Sequence, residues 1–166
     1  MNPRYTFSRR KLKIDWSGAI YAGLIAGAVF FFLQIFLLWA GGLNIPWEFP
    51  QKIAAIVLGP DVLLQPATSG QPTMLVGLVV HMGLSILYTA FLALCIRAQS
   101  TGTAIFIGIG FGLVLYLLNY YVAVALFPWF AEARHWATVV GHAVFGGTSA
   151  WVYKAFTQGP ETTSPE

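Results

Sequence analysis

Four stretches of this chain, at about residues 17–40, 73–96, 103–127 and 134–153, contain no interior Asp, Glu, Lys or Arg. Each is about 20 residues or longer, enough for a helix to cross ~30 Å of hydrocarbon. In lipid every backbone N–H and C=O needs an internal partner, so helices are the default. The alternating ~10-residue segments of a membrane β-barrel are absent. The rest of the composition agrees. Hydrophobic residues make up 57% of the 166 and charged residues only 9%, against roughly 25% charged in soluble domains. That excludes a water-facing globular domain and intrinsic disorder. A lone cysteine, Cys95, excludes a disulfide scaffold. It is either a palmitoylation site near the end of the second span or a small apolar side chain. The expected fold is all-α: a polytopic bundle of four transmembrane helices over residues 17–156, with a short interfacial helix at about 50–59. A basic segment, 1–16, precedes it, and a disordered cytoplasmic tail, 157–166, follows.

The few charges sort by side. Arg4, Arg9, Arg10, Lys11, Lys13, Arg97 and Lys154 fall on one side, and Lys52 and Arg134 on the other with Glu48, Asp61 and Glu132. The positive-inside rule then puts both termini in the cytoplasm. Trp16 and Trp151 anchor the inner interface, and Trp39, Trp47, Trp129 and Trp136 the outer one. The net charge of +3 thus reads as topology, and no basic stripe points to nucleic acid. The run Ser8-Arg9-Arg10-Lys11 resembles a twin-arginine export signal. The apolar stretch behind it is too long for a signal, so an uncleaved anchor is expected.

A two-helix hairpin recurs in the chain. At an offset of 85, Gly23, Gly27 and Gln34 of the first span match Gly108, Gly112 and Asn119 of the third. Pro46-Trp47 matches Pro128-Trp129, and Val79-Val80-His81 matches Val139-Val140-Gly141-His142. Both copies would start in the cytoplasm, which makes a pseudo-twofold bundle about the membrane normal. Gly23, Gly27, Gly108 and Gly112 are the expected helix-packing residues, since glycine lets backbones approach closely. Helical spacing puts Gly77, His81, Ser85 and Tyr88 in one stripe and Thr138, His142, Gly146, Ser149 and Tyr153 in another.

Counting 1.5 Å of rise per residue, His81, His142, Gln34 and Asn119 come to similar depths in the outer half of the membrane. With Ser85 and Tyr120 they form a candidate buried polar cluster. As structural glue it would consist of interhelical hydrogen bonds such as His81–Gln34 and His142–Asn119, each about 0.6–2 kcal/mol. As a site it would be a small-molecule or quinone pocket, a haem held by the two histidines, or the titratable part of a small transporter. No metal site is expected, because two histidines lack companions. His135 is about 10 Å of helix rise from His142, too far to share an ion. No phosphate loop, zinc-protease motif or nucleophile elbow occurs, and no third residue orients the Ser85/His81 pair. The chain is therefore not expected to be an enzyme. No cofactor is expected, with haem b the one alternative. Lipid and another membrane protein, or a second copy, are the expected partners.

Residues 47–60, Leu126-Phe127-Pro128-Trp129-Phe130 and Val139-Val140-Gly141-His142 resemble a family of small bacterial four-span inner-membrane proteins. The resemblance covers residues 17–156. Members are often labelled sodium:proline symporters, although those symporters have many more spans. A narrower resemblance, on Gly23-Leu24-Ile25-Ala26-Gly27 and Gly141-His142, is to the YagU acid-resistance family. Neither implies a catalytic residue. The leading expectation is a non-catalytic accessory or assembly subunit of a larger membrane complex. The alternatives are a small-molecule, quinone or haem-binding module using His81 and His142, and a small transporter or channel.

Overall fold

The computed structural model describes residues 14–43, 47–67 and 71–157. The basic residues up to Lys13, Pro46 and the polar tail from residue 158 lie outside the described residues. Every regular element among the described residues is helical. They are α1 (Trp16–Ala40), α2 (Glu48–Leu58), α3 (Pro72–Ile96), α4 (Thr101–Leu117) and α5 (Trp136–Thr157). A π turn (Leu118–Val122) and a short 3-10 turn (Ala123–Ala125) prolong α4, and further 3-10 turns span Pro60–Leu64 and Pro128–Ala133.

Local chemistry explains the ends. The Asp15 carboxylate accepts the Gly18 N–H at 2.9 Å, and the Ser100 hydroxyl accepts that of Thr103 at 3.3 Å, so each satisfies an orphan donor of the first turn. Pro72 opens α3, where its missing N–H costs nothing. Gly59, at φ +88°, terminates α2 in a conformation that side chains disfavour.

Three segments are long and apolar enough to cross a membrane: Trp16–Ala40, Pro72–Ile96 and Thr101–Ala125. Their outward faces carry large apolar side chains such as Phe32, Phe91 and Phe106, as lipid-facing surfaces do. The fourth expected span, α5, falls short of that apolarity, and packing gives the reason. Half of its 22 residues are buried, among them Thr138, His142, Ser149 and Lys154. Packed against α4, α1 and α3, it buries a larger share of its residues than they do. Lys154, counted in the sequence among the cations of the cytoplasmic side, is one of these buried residues.

The helices pack in the order α4 on α5, α5 on α1, α1 on α3, while α3 and α4 barely touch. Glycines make the close seams. A methyl group on Gly23 would meet the Ile86 Cα at 2.6 Å, and one on Gly27 the Ser85 Cβ at 2.8 Å. On the other pair, Gly108 faces the Gly146 carbonyl and Gly112 the His142 carbonyl, with no room for a Cβ at either. All four packing glycines thus sit at helix crossings.

The short outer helix exists as α2, but it is a wall of the bundle. Phe49, Ile53, Ala54 and Ala55 are buried, and Pro50 presses its carbonyl onto Gly77 of α3. Gln51 holds the following turn by donating to the Val62 and Gln65 carbonyls at 2.8 and 2.9 Å. Trp129 donates its indole N–H to the Lys52 carbonyl at 2.9 Å, and Lys52 pairs with Glu132 at 3.1 Å. Trp129 is therefore a half-buried strut. Trp16, Trp39, Trp47, Trp136 and Trp151 remain exposed, as interface anchors are.

Candidate functional site

Near the α2 end, the bundle encloses a mostly apolar cavity of about 180 Å³. His81, Ser85 and Tyr88 reach it from α3, Asn119 and Tyr120 from the π turn, and His142 from α5. These are five of the six residues of the expected polar cluster, with Tyr88 added. Aromatic and aliphatic side chains, including Phe30, Phe49, Leu115 and Phe145, complete the lining. Of its half-buried members, Leu84 and Tyr88 lie on α3, Asn119, Ala123 and Phe127 beyond α4, Ile56 on α2 and Phe130 in the following 3-10 turn, so five of the seven border the seam where α3 and α4 make few contacts.

The π turn is what the periodicity did not foresee. A regular helix was expected to residue 127, and instead the last turn of α4 widens at Leu118–Val122. Arg134 supports the irregular backbone. Its Nε donates to the Tyr120 carbonyl at 2.7 Å, and its guanidinium lies 4.6 Å over the Tyr121 ring. Such turns disturb the regular ladder and often mark functional positions. Here the π turn carries Asn119 and Tyr120 to the cavity.

A directional chain of hydrogen bonds crosses the cavity wall. The Tyr88 hydroxyl donates to Asn119 Oδ1 at 3.1 Å. Asn119 Nδ2 then donates to His142 Nε2 at 3.3 Å, and His142 Nδ1 donates to the Thr138 carbonyl at 2.8 Å. The carbonyl can only accept, so Nδ1 carries the proton and Nε2 is the acceptor. This chain ties α3, the end of α4 and α5 together, and it contains the expected His142–Asn119 pair.

The expected His81–Gln34 pair does not form. His81 Nε2 donates instead to the Gly27 carbonyl at 2.9 Å, and Ser85 turns its hydroxyl back onto the His81 carbonyl at 2.8 Å. Phe30 occupies the ground between the polar groups. Its ring stacks on His81 at 5.3 Å and meets His142 edge-on at 4.9 Å. Gln34 is buried and lines a separate space of about 20 Å³ with His135, Thr138, Glu48 and Lys52. Its Oε1 has no hydrogen-bond partner among the described residues. It faces Gly141, where a methyl would sit 2.6 Å away. His135, just before α5, has its pKa held below the ordinary 6.5, first by burial and then by the Lys52 charge.

Haem does not fit these residues. Axial ligation needs one ring nitrogen of each histidine aimed at a shared iron. Both Nε2 atoms are committed to Gly27 and Asn119, and both His142 nitrogens are engaged. The Phe30 ring lies against both imidazoles. Among the described residues no three His, Cys, Asp or Glu side chains cluster as a metal site would require.

The hydrogen-bond chain has a measurable consequence. His142→Ala loses two hydrogen bonds and the aromatic contacts of the ring. It should cost about 2 kcal/mol or more, whereas Phe32→Ala, on a 70% exposed side chain, should cost far less. Thermal denaturation in mild detergent compares the two, and equal losses would contradict a structural role for the chain.

Comparison with known proteins adds no family: no protein-family model, curated protein or solved structure matches this chain.

Proposed function

We propose that this is a small integral membrane protein that binds the ring-sized head group of a lipid-soluble molecule in the cavity between α3 and α4. The observation that carries this reading is the cavity itself. It is apolar, it holds both membrane-level histidines, and it lies on the seam where two helices part. A cavity of about 150 Å³ accepts benzene, so about 180 Å³ suits one six-membered ring. Whole small-molecule pockets run to 300–1,000 Å³, so the remainder of such a ligand would leave through the seam into lipid. This reading is preferred to the accessory-subunit expectation because the hydrogen bonds of the cluster leave His81 Nδ1, on a cavity-lining side chain, without a partner among the described residues.

The sidedness of the charges supports a bilayer placement with both termini cytoplasmic, α5 as the fourth span and the cavity in the outer half. The matched glycine contacts support a duplicated hairpin. Gly27 lies against Ser85 and Gly112 against His142 and Gly146. Ser85 and Gly146 each follow their histidine by four residues, so the two hairpins cross at the same register. The counterpart of the open α3–α4 seam is then the α1–α5 seam, which is closed. At the 85-residue offset, Phe30 stands in the closed seam and Leu115 in the open one.

The test is equilibrium binding of radiolabelled 4-nonylphenol to the protein in nanodiscs, measured in excess over empty discs. Saturable binding near one molecule per chain supports the reading. Uptake no greater than in empty discs overturns it.

A further inference from the structure

His81 lines the cavity and keeps one ring nitrogen of defined character without a partner among the described residues. His81 Nε2 faces the Gly27 carbonyl, which can only accept, so Nε2 carries the proton. The ring is buried against Phe30, Phe31 and Phe49, where a second proton would bring in an unpaired charge at high cost. Nδ1 is therefore a bare lone pair. It has no hydrogen-bond partner among the described residues, and it is not among the fully buried unpartnered atoms. The side chain that carries it lines the cavity and is 92% buried, with 8% exposed.

The other donors are engaged or do not discriminate, since the second Asn119 N–H can serve a phenol, ether or quinone oxygen alike. Tyr88 gives its proton to Asn119, Asn119 gives one to His142, His142 gives its own to Thr138, and Ser85 gives its to the His81 carbonyl. The Tyr120 hydroxyl can rotate to donate or accept, so it selects neither kind of partner. The position of His81 explains why its tautomer is held. The carbonyl that fixes it belongs to Gly27, whose missing side chain lets α1 approach α3 closely. The seam that packs the two helices thus also fixes the acceptor.

From this arrangement we propose that the cavity selects head groups bearing a hydroxyl donor, phenols and quinols, over ethers and quinones of the same shape. The ligand hydroxyl donates to His81 Nδ1, and the ring lies among Phe30, Phe49 and Leu115. This rests on the cavity-binding reading above and specifies its ligand class. A site whose buried acceptor goes unpaired rejects the analogue that lacks the donor.

The experiment compares 4-nonylphenol with its methyl ether, 4-nonylanisole, on the full chain in nanodiscs. The two share ring and tail and differ in one donor. The expected result is phenol binding about tenfold or more tighter. In His81→Phe, which keeps the ring's bulk without its nitrogens, phenol affinity should fall to that of the ether. Equal binding of the two probes by the wild-type chain overturns the donor requirement and leaves the cavity reading standing. A phenol preference that survives in His81→Phe overturns the role of His81. Binding of neither probe overturns the cavity reading, and this inference with it. The wild-type comparison decides the donor requirement even where His81→Phe fails to fold.

Discussion

Gly112→Val should be among the most destabilising single changes in the protein, lowering the melting temperature in detergent by on the order of 10 °C. The reason is geometric. A Cβ at Gly112 falls on the His142 carbonyl, and its next neighbour is the Gly146 backbone nitrogen at 3.3 Å. Both belong to the α5 backbone, so no side chain can swing aside. The helices would have to separate along a seam where Gly146 in turn presses on the Gly108 carbonyl. Overpacking usually costs about 1–3 kcal/mol, and a backbone obstacle puts this case at or above the top of that range. At about 2–4 °C per kcal/mol for a chain of this size, the fall follows. Separation would also stretch the Asn119–His142 bond, so the cavity should lose its shape with the fold. The control is Gly110→Ala, on the same helix. Gly110 has nothing within 4 Å of a built Cβ, and alanine there should be neutral or stabilise by up to about 1 kcal/mol. Similar melting temperatures for the two variants would contradict the α4–α5 packing.

The same glycines explain how much of the fold was legible beforehand. Small residues four apart on an apolar helix have few uses other than close approach, so Gly23, Gly27, Gly108 and Gly112 announced their role in one dimension. The depth of the polar cluster was legible too, because helix rise converts position into height. His81, His142 and Asn119 do meet at one level. What counting along a helix does not give is the angle between helices, and the errors lie there. Gln34 has the right depth and burial, yet the Phe30 ring one turn earlier stands in the cluster's place. The π turn at Leu118–Val122 escaped because the side chain that supports it, Arg134 bonded to the Tyr120 carbonyl, lies 14 residues away. Tyr88 was seen in its stripe but not as a cavity residue, since its partner Asn119 reaches it only through that turn. The inward position of α5 had a signal in hindsight, in Thr138, Thr148, Ser149 and Lys154. Such residues are tolerated where a helix meets protein in place of lipid.

The second large effect concerns the open seam. Its closed counterpart, between α1 and α5, carries the Phe30 ring at the level of the histidines. The open one carries Leu115, which is buried and lines the cavity. A larger ring at position 115 has room to extend into about 180 Å³ of free space, so Leu115→Trp should keep the fold. Filling space restores contacts that a cavity forfeits, so its melting temperature should equal or exceed that of the wild type. The ring would occupy the place of the ligand's head group, and binding should fall at least tenfold.

Binding of 4-nonylphenol to wild-type and Leu115→Trp protein in nanodiscs, with the melting temperature of each sample recorded, is therefore the most direct measurement of the central claim. Saturable binding by the wild type that Leu115→Trp loses, at an undiminished melting temperature, is the predicted result. Equal binding by two equally stable proteins would place the ligand elsewhere and contradict it.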